Sequence, residues 1–138
     1  MIKTITVPID GSDYSYKAAD YAIEIAAKFN AKIIVVHVLG ESSFKSYSAE
    51  EDSGEAILSK VTEKAKDKGV ETIEHLITGD ALRDMKMIIK KTHADLVIMH
   101  RFGSNLFTED LNENQIGSVA DRVLKTVDVP ILLIKWYL

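Results

Sequence analysis

The residues best suited to bind an anion lie between Ala94 and Thr126. The apolar run Leu96–Met99 is followed by Gly103, and after a polar loop Gly117 and Ser118 stand directly before a strongly periodic helical pattern. The start of a helix carries free backbone N–H groups and a partial positive charge. Glycine lets the backbone approach a phosphate closely. The segment therefore predicts a phosphate site, with an ordinary capped helix start as the alternative.

Asp10 is the second candidate, because it ends the first apolar run in VPIDGSDYS. A carboxylate at this place can accept hydrogen bonds from a ribose hydroxyl or an adenine amino group. Asp-Gly is also a common turn dipeptide, and Ser12 or Asp13 could cap the helix that follows. Both interpretations of Asp10 stay open at this point.

The sequence gives little support for metal binding, phosphoryl transfer or nucleophilic catalysis. The four histidines lack metal-ligand spacing; His37 is expected to be a hydrogen-bonded core residue and His93 a solvated residue at a helix end. No Gly-Lys-Ser/Thr sequence occurs, and no Ser–His–Asp arrangement can be argued. Arg101 is the only cation near the glycine loop in sequence. We therefore expect no catalytic residue.

Five apolar, β-rich runs alternate with four helical patterns. The arrangement of these elements determines where the candidate site residues lie. The predicted strands are Ile2–Ile9, Lys32–Leu39, Glu71–Thr78, Asp95–Met99 and Pro130–Tyr137. Helical spacing is clearest in the last pattern, at Ile116, Val119, Ala120, Val123, Leu124 and Val127. Residues Gly40–Ser53 are polar and predict a surface loop. Strict alternation predicts an α/β fold with a five-stranded parallel sheet and helices on both faces, and the commonest five-strand solution gives the order 3-2-1-4-5. The third strand is then an edge, and Asp10 and Gly103 meet at the switch point.

Length and composition limit the remaining possibilities. The chain has 138 residues, of which 46% are hydrophobic, which predicts one folded domain over residues 1–138. A net charge of −4 disfavours a nucleic-acid partner. No run reaches the ~18 apolar residues of a membrane span, and the first residues do not resemble a signal peptide. We expect a cytoplasmic protein without a membrane partner.

Five segments together resemble the universal stress protein family along the whole chain. They are VPIDGS, VVHVL, ITGDA, HADLVIMH and GSVADRVLKTVDVPILLIK. The resemblance implies a five-stranded α/β sandwich, usually dimeric, with an ATP site in one branch of the family and none in the other; Mg²⁺ would accompany ATP. The positions that it assigns to the nucleotide are Pro8, Ile9, Asp10, Val38, Met99, His100, Gly103, Gly117, Ser118 and Val119.

The chain departs from the family's ATP-binding pattern twice. That pattern has glycine, two residues, glycine, nine residues, then Gly-Ser or Gly-Thr, but His100 stands at the first glycine. Thirteen residues separate Gly103 from Gly117, and they include Glu109, Asp110 and Glu113. Two hypotheses follow. One is a stress-response regulatory domain that binds ATP or a related adenine nucleotide, with at most slow hydrolysis. The other is a dimeric interaction module without nucleotide, with Leu106 and Phe107 as anchors.

The last predicted strand is the expected dimer interface. The resemblance implies a homodimer through this strand, and an exposed apolar cluster at a sheet edge would otherwise promote aggregation. Trp136 could instead pack within its own subunit. The residues assigned to the interface are Val129, Ile131, Leu133, Lys135, Trp136 and Tyr137.

Overall fold

Five strands and four helices alternate along the part of the chain that the computed structural model describes, residues 1–40, 47–103 and 115–136. The elements are β1 Thr4–Pro8, α1 Asp13–Phe29, β2 Lys32–Gly40, α2 Tyr47–Asp67, β3 Thr72–Gly79, α3 Ala81–Thr92, β4 Leu96–His100, α4 Ser118–Thr126 and β5 Ile131–Ile134.

All strand pairs are parallel, and the sheet order β3-β2-β1-β4-β5 confirms the predicted order, with β3 at an edge. The β1–β2 ladder runs the full length of β1, from Thr4 to Pro8. The β1–β4 ladder is much shorter, with Ile5 opposite Leu96 and Thr6 opposite Val97. Since β1 and β4 separate beyond Thr6, a crevice opens between their carboxyl ends, where ligands bind in such sheets.

Side chains of the sheet alternate between two hydrophobic clusters. The cluster against α1 and α2 contains Ile5, Val7 and Ile98, and we call this side of the sheet the α1–α2 face. The opposite side, the α3–α4 face, contains Val97 and Met99. Because successive residues of a strand point to opposite sides, neighbours at the end of β4 reach different environments.

Strand β5 is shorter than predicted. The sequence predicted a strand from Pro130 to Tyr137, but the strand ends at Ile134. Its ladder partner sets this limit, because β4 ends at His100, which lies opposite Ile134. The N–H of Arg101 still donates to the Ile134 carbonyl over 3.0 Å. Tyr137 lies outside the described residues.

Two helix boundaries also differ from the prediction. Helix α2 begins at Tyr47, so the expected loop over Gly40–Ser53 was wrong for its second half. Ile116 and Val127 flank α4 instead of belonging to it, and Leu124 is exposed.

Candidate functional site

A cavity of about 640 Å³ lies at the carboxyl ends of the central strands, beside the first turn of α4. This volume is within the range of ~300–1,000 Å³ typical of small-molecule sites. The structure brings all ten sequence-predicted site residues to its wall: Pro8, Ile9, Asp10, Val38, Met99, His100, Gly103, Gly117, Ser118 and Val119.

Asp10 and Gly103 meet across the crevice, as the strand order predicted. A Cβ at Gly103 would lie only 2.8 Å from Oδ2 of Asp10, so glycine allows this close approach. Oδ1 of Asp10 accepts a 2.8 Å hydrogen bond from the N–H of Ser12. Ser12 in turn is the N-cap of α1, and its side chain accepts from the N–H of Ser15. Asp10 therefore both organises the turn into α1 and presents a carboxylate to the cavity.

The first turn of α4 faces the same cavity. Gly117 is the N-cap and makes no side-chain capping bond. Its own N–H donates to the Arg101 carbonyl over 2.6 Å, so this group already has a partner within the chain. The first helical N–H groups, those of Ser118 and Val119, follow it. A Cβ at Gly117 would lie 3.3 Å from the Arg101 carbonyl oxygen, so glycine here permits close packing of two backbone segments.

The His100 side chain is buried, with only 4% of its surface exposed. Its Nδ1 accepts a 3.0 Å hydrogen bond from the N–H of Phe102, and its Nε2 lies 2.7 Å from the Trp136 carbonyl oxygen. A neutral ring with its proton on Nε2 satisfies both contacts. Burial, and the positive charge of Arg101 to a smaller degree, hold the pKa of His100 below its usual 6.5, against opposing effects of the Trp136 carbonyl and Asp10.

The aromatic neighbours of His100 explain where its ring goes. The ring centre lies 4.8 Å from that of Tyr14, on α1, and 5.5 Å from that of Phe102. Thus the imidazole packs on the α1–α2 face, while the preceding Met99 belongs to the α3–α4 face. The ring that stands at the first glycine of the family's pattern therefore packs against α1.

Several residues of the cavity wall escaped the sequence prediction. Arg101 was noted only as a nearby cation; it is buried, lines the cavity and stacks its guanidinium 4.4 Å from the Phe102 ring centre. His37 donates from Nδ1 to the Ile9 carbonyl over 2.7 Å, which confirms the predicted hydrogen bond, but it is half-buried and lines the cavity, so its predicted place in the core was wrong. The other lining residues that were missed are Ser15, Val36, Ala81, Met85, Phe102, Ile116, Ala120 and Asp121. Val36 had a usable signal, because it lies two residues before Val38 and shares its face.

A comparison of the chain with sequence models of protein families shows which family it belongs to. The sequence model of the "Universal stress protein family" matches residues 1–135. The chain belongs to the universal stress protein family. Among curated relatives, it is 32% identical over 145 residues to universal stress protein MJ0531 of Methanocaldococcus jannaschii, covering 98% of this chain and 83% of that relative.

Solved structures agree with the fold. A crystal structure of a universal stress protein in complex with cAMP is 26% identical, covers 97% of both chains and superposes with a TM-score of 0.75. The universal stress protein of Archaeoglobus fulgidus in complex with dAMP is 22% identical, with a TM-score of 0.74 over 98% of this chain and 100% of that one. The second likeness establishes the shared fold alone.

The described part of this universal stress protein contains no group of three or more His, Cys, Asp or Glu side chains that could hold a metal ion. Two carboxylates, Asp10 and Asp121, line the cavity. Arg101 is the one lysine or arginine among the lining residues that the structure describes. No helix within the described ranges is long and apolar enough to span a bilayer.

The expected dimer residues divide into two groups. Val129, Ile131 and Leu133 are half-buried and pack on the α3–α4 face of their own chain. Lys135 and Trp136 are exposed. The Trp136 indole N–H donates to the Tyr21 hydroxyl over 2.7 Å, so this side chain contacts its own subunit while 60% of its surface stays exposed. Tyr137, the sixth expected residue, is not among the described ones.

Proposed function

We propose that this universal stress protein binds an adenine nucleotide in the cavity between β1, β4 and α4, as a regulatory domain in a stress response. The observation that carries the proposal is the cavity itself, which gathers Asp10, Gly103 and the first turn of α4 at one switch point. Further support comes from the related universal stress protein at 26% identity, whose crystal structure is a complex with cAMP.

The cavity wall suggests a division of roles. Pro8, Ile9 and Val38 would face the nucleoside, and the Asp10 carboxylate would accept hydrogen bonds from its hydroxyl groups. The N–H groups of Ser118 and Val119, with the Ser118 hydroxyl, would hold phosphate at the positive end of α4. Met99, His100, Gly103 and Gly117 would shape the wall between the two.

ATP with Mg²⁺ is the specific ligand that we propose to test against AMP and cAMP. Mg²⁺ commonly uses one or two carboxylates together with phosphate oxygens, and Asp10 and Asp121 both line the cavity. The proposal includes at most slow hydrolysis. Phosphoryl transfer depends on cations that stabilise the developing charge. Because the Arg101 guanidinium packs against the Phe102 ring, we do not assign it this role.

Gly117→Val is the variant that tests the site. A Cβ at position 117 already lies 3.3 Å from the Arg101 carbonyl oxygen, and the two further methyl groups of valine would push α4 away from the cavity wall. Gly40→Val is the matched control, because a Cβ there meets no atom of the described residues within 4 Å. We expect at least a tenfold rise in the dissociation constant for Gly117→Val, equivalent to about 1.4 kcal/mol, and no change for Gly40→Val.

The measurement is isothermal titration of the purified protein with ATP, AMP and cAMP, each with and without Mg²⁺, after any co-purified nucleotide has been released and identified. Thermal unfolding of both variants verifies that they fold. Neither co-purified nor titratable adenine nucleotide on the wild-type protein would reject the proposal. Unchanged affinity in a folded Gly117→Val variant would place the phosphates elsewhere.

A further inference from the structure

A continuous set of hydrogen bonds joins the cavity wall to the end of the described chain. The N–H of Phe102 donates to Nδ1 of His100 over 3.0 Å, and Nε2 of His100 donates to the Trp136 carbonyl over 2.7 Å. The Trp136 indole N–H then donates to the Tyr21 hydroxyl on α1, also over 2.7 Å. The nucleotide proposal assigns no use to these bonds.

The backbone beside His100 is also held from two other directions. The N–H of Arg101 donates to Ile134 on β5 over 3.0 Å, and its carbonyl accepts from Gly117 at the start of α4 over 2.6 Å. The turn from His100 to Gly103 is therefore fixed to β5, to α4 and, through the imidazole, to Trp136. A shift of this turn cannot leave the Trp136 segment unaffected while the two imidazole bonds hold.

We propose that His100 is a positioning residue that couples the cavity wall at Phe102 and Gly103 to the C-terminal segment at Trp136. The coupling between these two places is a property of the chain without ligand. Its consequence for binding rests on the proposed function: a nucleotide that contacts the wall would change the surroundings of Trp136, and by linkage the Trp136 segment would change nucleotide affinity.

The coupling requires an uncharged imidazole. A second proton would sit on Nδ1 and point at the Phe102 N–H, which removes that hydrogen bond. Among the described residues, the charged or titratable groups facing His100 are Asp10, two residues after β1, Tyr14 on α1 and the adjacent Arg101. Because burial keeps the pKa of His100 below 6.5, the link is intact at neutral pH and is lost as the pH falls through that lowered value.

Three variants separate the two bonds. In His100→Asn, Oδ1 replaces Nδ1 and can accept from Phe102, but nothing reaches Trp136. In His100→Gln, the amide nitrogen replaces Nε2 and can donate to Trp136, but the acceptor for Phe102 is gone. His100→Phe keeps a ring and loses both bonds. His93→Asn is the control, because His93 is an exposed histidine at the end of α3 with φ 54, which asparagine tolerates.

The ligand-free readout is the indole N–H resonance of Trp136, which is unique because the chain has one tryptophan. We expect it to shift with pH, with a midpoint below 6.5, in the wild type and in His93→Asn, and to stay constant in His100→Phe. We also expect Gly103→Ala, which disturbs the cavity wall, to shift this resonance more in the wild-type background than beside His100→Phe, because the bond from Arg101 to Ile134 and the bond from Trp136 to Tyr21 remain in both. Identical pH curves in the wild type and His100→Phe, or equal shifts from Gly103→Ala in the two backgrounds, overturn the coupling.

Two further measurements complete the test. Long-range ¹H–¹⁵N spectra of the wild-type protein should show neutral His100 protonated on Nε2; protonation on Nδ1 overturns the inference even where a variant fails to fold. If AMP binds, its dissociation constant should rise about tenfold in His100→Phe and less in the two single-bond variants. If no adenine nucleotide binds the wild type, the proposed function fails, while the ligand-free arm still decides the coupling.

Discussion

Adding one methyl group to Gly103 should reveal how tightly the two sides of the cavity meet. The Cβ of alanine would lie 2.8 Å from Oδ2 of Asp10, a separation that side-chain carbons do not tolerate. The carboxylate must move, and its Oδ1 holds the N–H of Ser12 over 2.8 Å. Because Ser12 is the N-cap of α1, the disturbance reaches the start of that helix.

Two opposing effects determine the size of the change. A hydrogen bond to a charged group contributes about 1.5–3 kcal/mol when well protected, and a neutral one about 0.5–1.5. Asp10 is exposed, so water offsets part of the loss and about 1 kcal/mol is reasonable. Replacing glycine by alanine also stabilises by about 0.4–1 kcal/mol where the backbone allows it, and Gly103 has no positive φ. The Gly103→Ala variant alone should therefore change little.

The thermodynamic cycle with Asp10→Ala separates the two effects. Without the carboxylate, Gly103→Ala should become stabilising, which gives a coupling free energy of about 1 kcal/mol between the two substitutions. Urea unfolding followed by far-ultraviolet circular dichroism of the four proteins measures it. Gly40→Ala, whose Cβ has no neighbour within 4 Å in the described part of the chain, should show no coupling to Asp10→Ala. Additivity of the Gly103 and Asp10 substitutions within about 0.5 kcal/mol would refute the close approach.

Two predictions concern acid stability and self-association. The pKa of Asp95 is lowered because its carboxylate accepts hydrogen bonds from the N–H groups of Lys3 and Thr4; its contribution to stability is thus present above the ordinary value of 3.8 and is lost as the pH falls through the lowered one. Asp95→Asn should flatten the acid-induced loss of stability in urea unfolding, and parallel pH curves would contradict this. If the expected homodimer forms through β5, Leu132→Lys, at an exposed position of this strand, should weaken it at least about tenfold in analytical ultracentrifugation. Met87→Lys, at a still more exposed position on α3, should not, and equal self-association of the two variants would reject the β5 interface.

The strand order and the members of the site could be predicted because each depends on local pattern and on topology alone. Near-continuous apolar runs such as Lys32–Leu39 indicate strands covered on both faces. Strict alternation with helices then leaves few possible orders of the strands. The observed order is the predicted one, and it brings Asp10 and Gly103 together. Features that depend on the neighbouring strand with which a segment pairs could not be predicted from the sequence. The end of β5 is one, because the length of β4 determines it.

The direction of the His100 side chain depends on whether β4 ends at Met99 or at His100. The sequence predicted that β4 ends at Met99, which would make position 100 the first residue of the loop. In the structure β4 includes His100. Side chains alternate along a strand, so this one-residue extension directs the imidazole to Tyr14 on the opposite face from Met99. No property of the isolated sequence fixes a boundary to one residue.

The same boundary changes what the missing family glycine means. His100 is an ordinary strand residue, since Asn30 and His93 are the described non-glycine residues with positive φ. Position 100 therefore does not need the conformational freedom of glycine, and its ring leaves a cavity of about 640 Å³ at the switch point. The substitution alone is consequently no argument against a nucleotide.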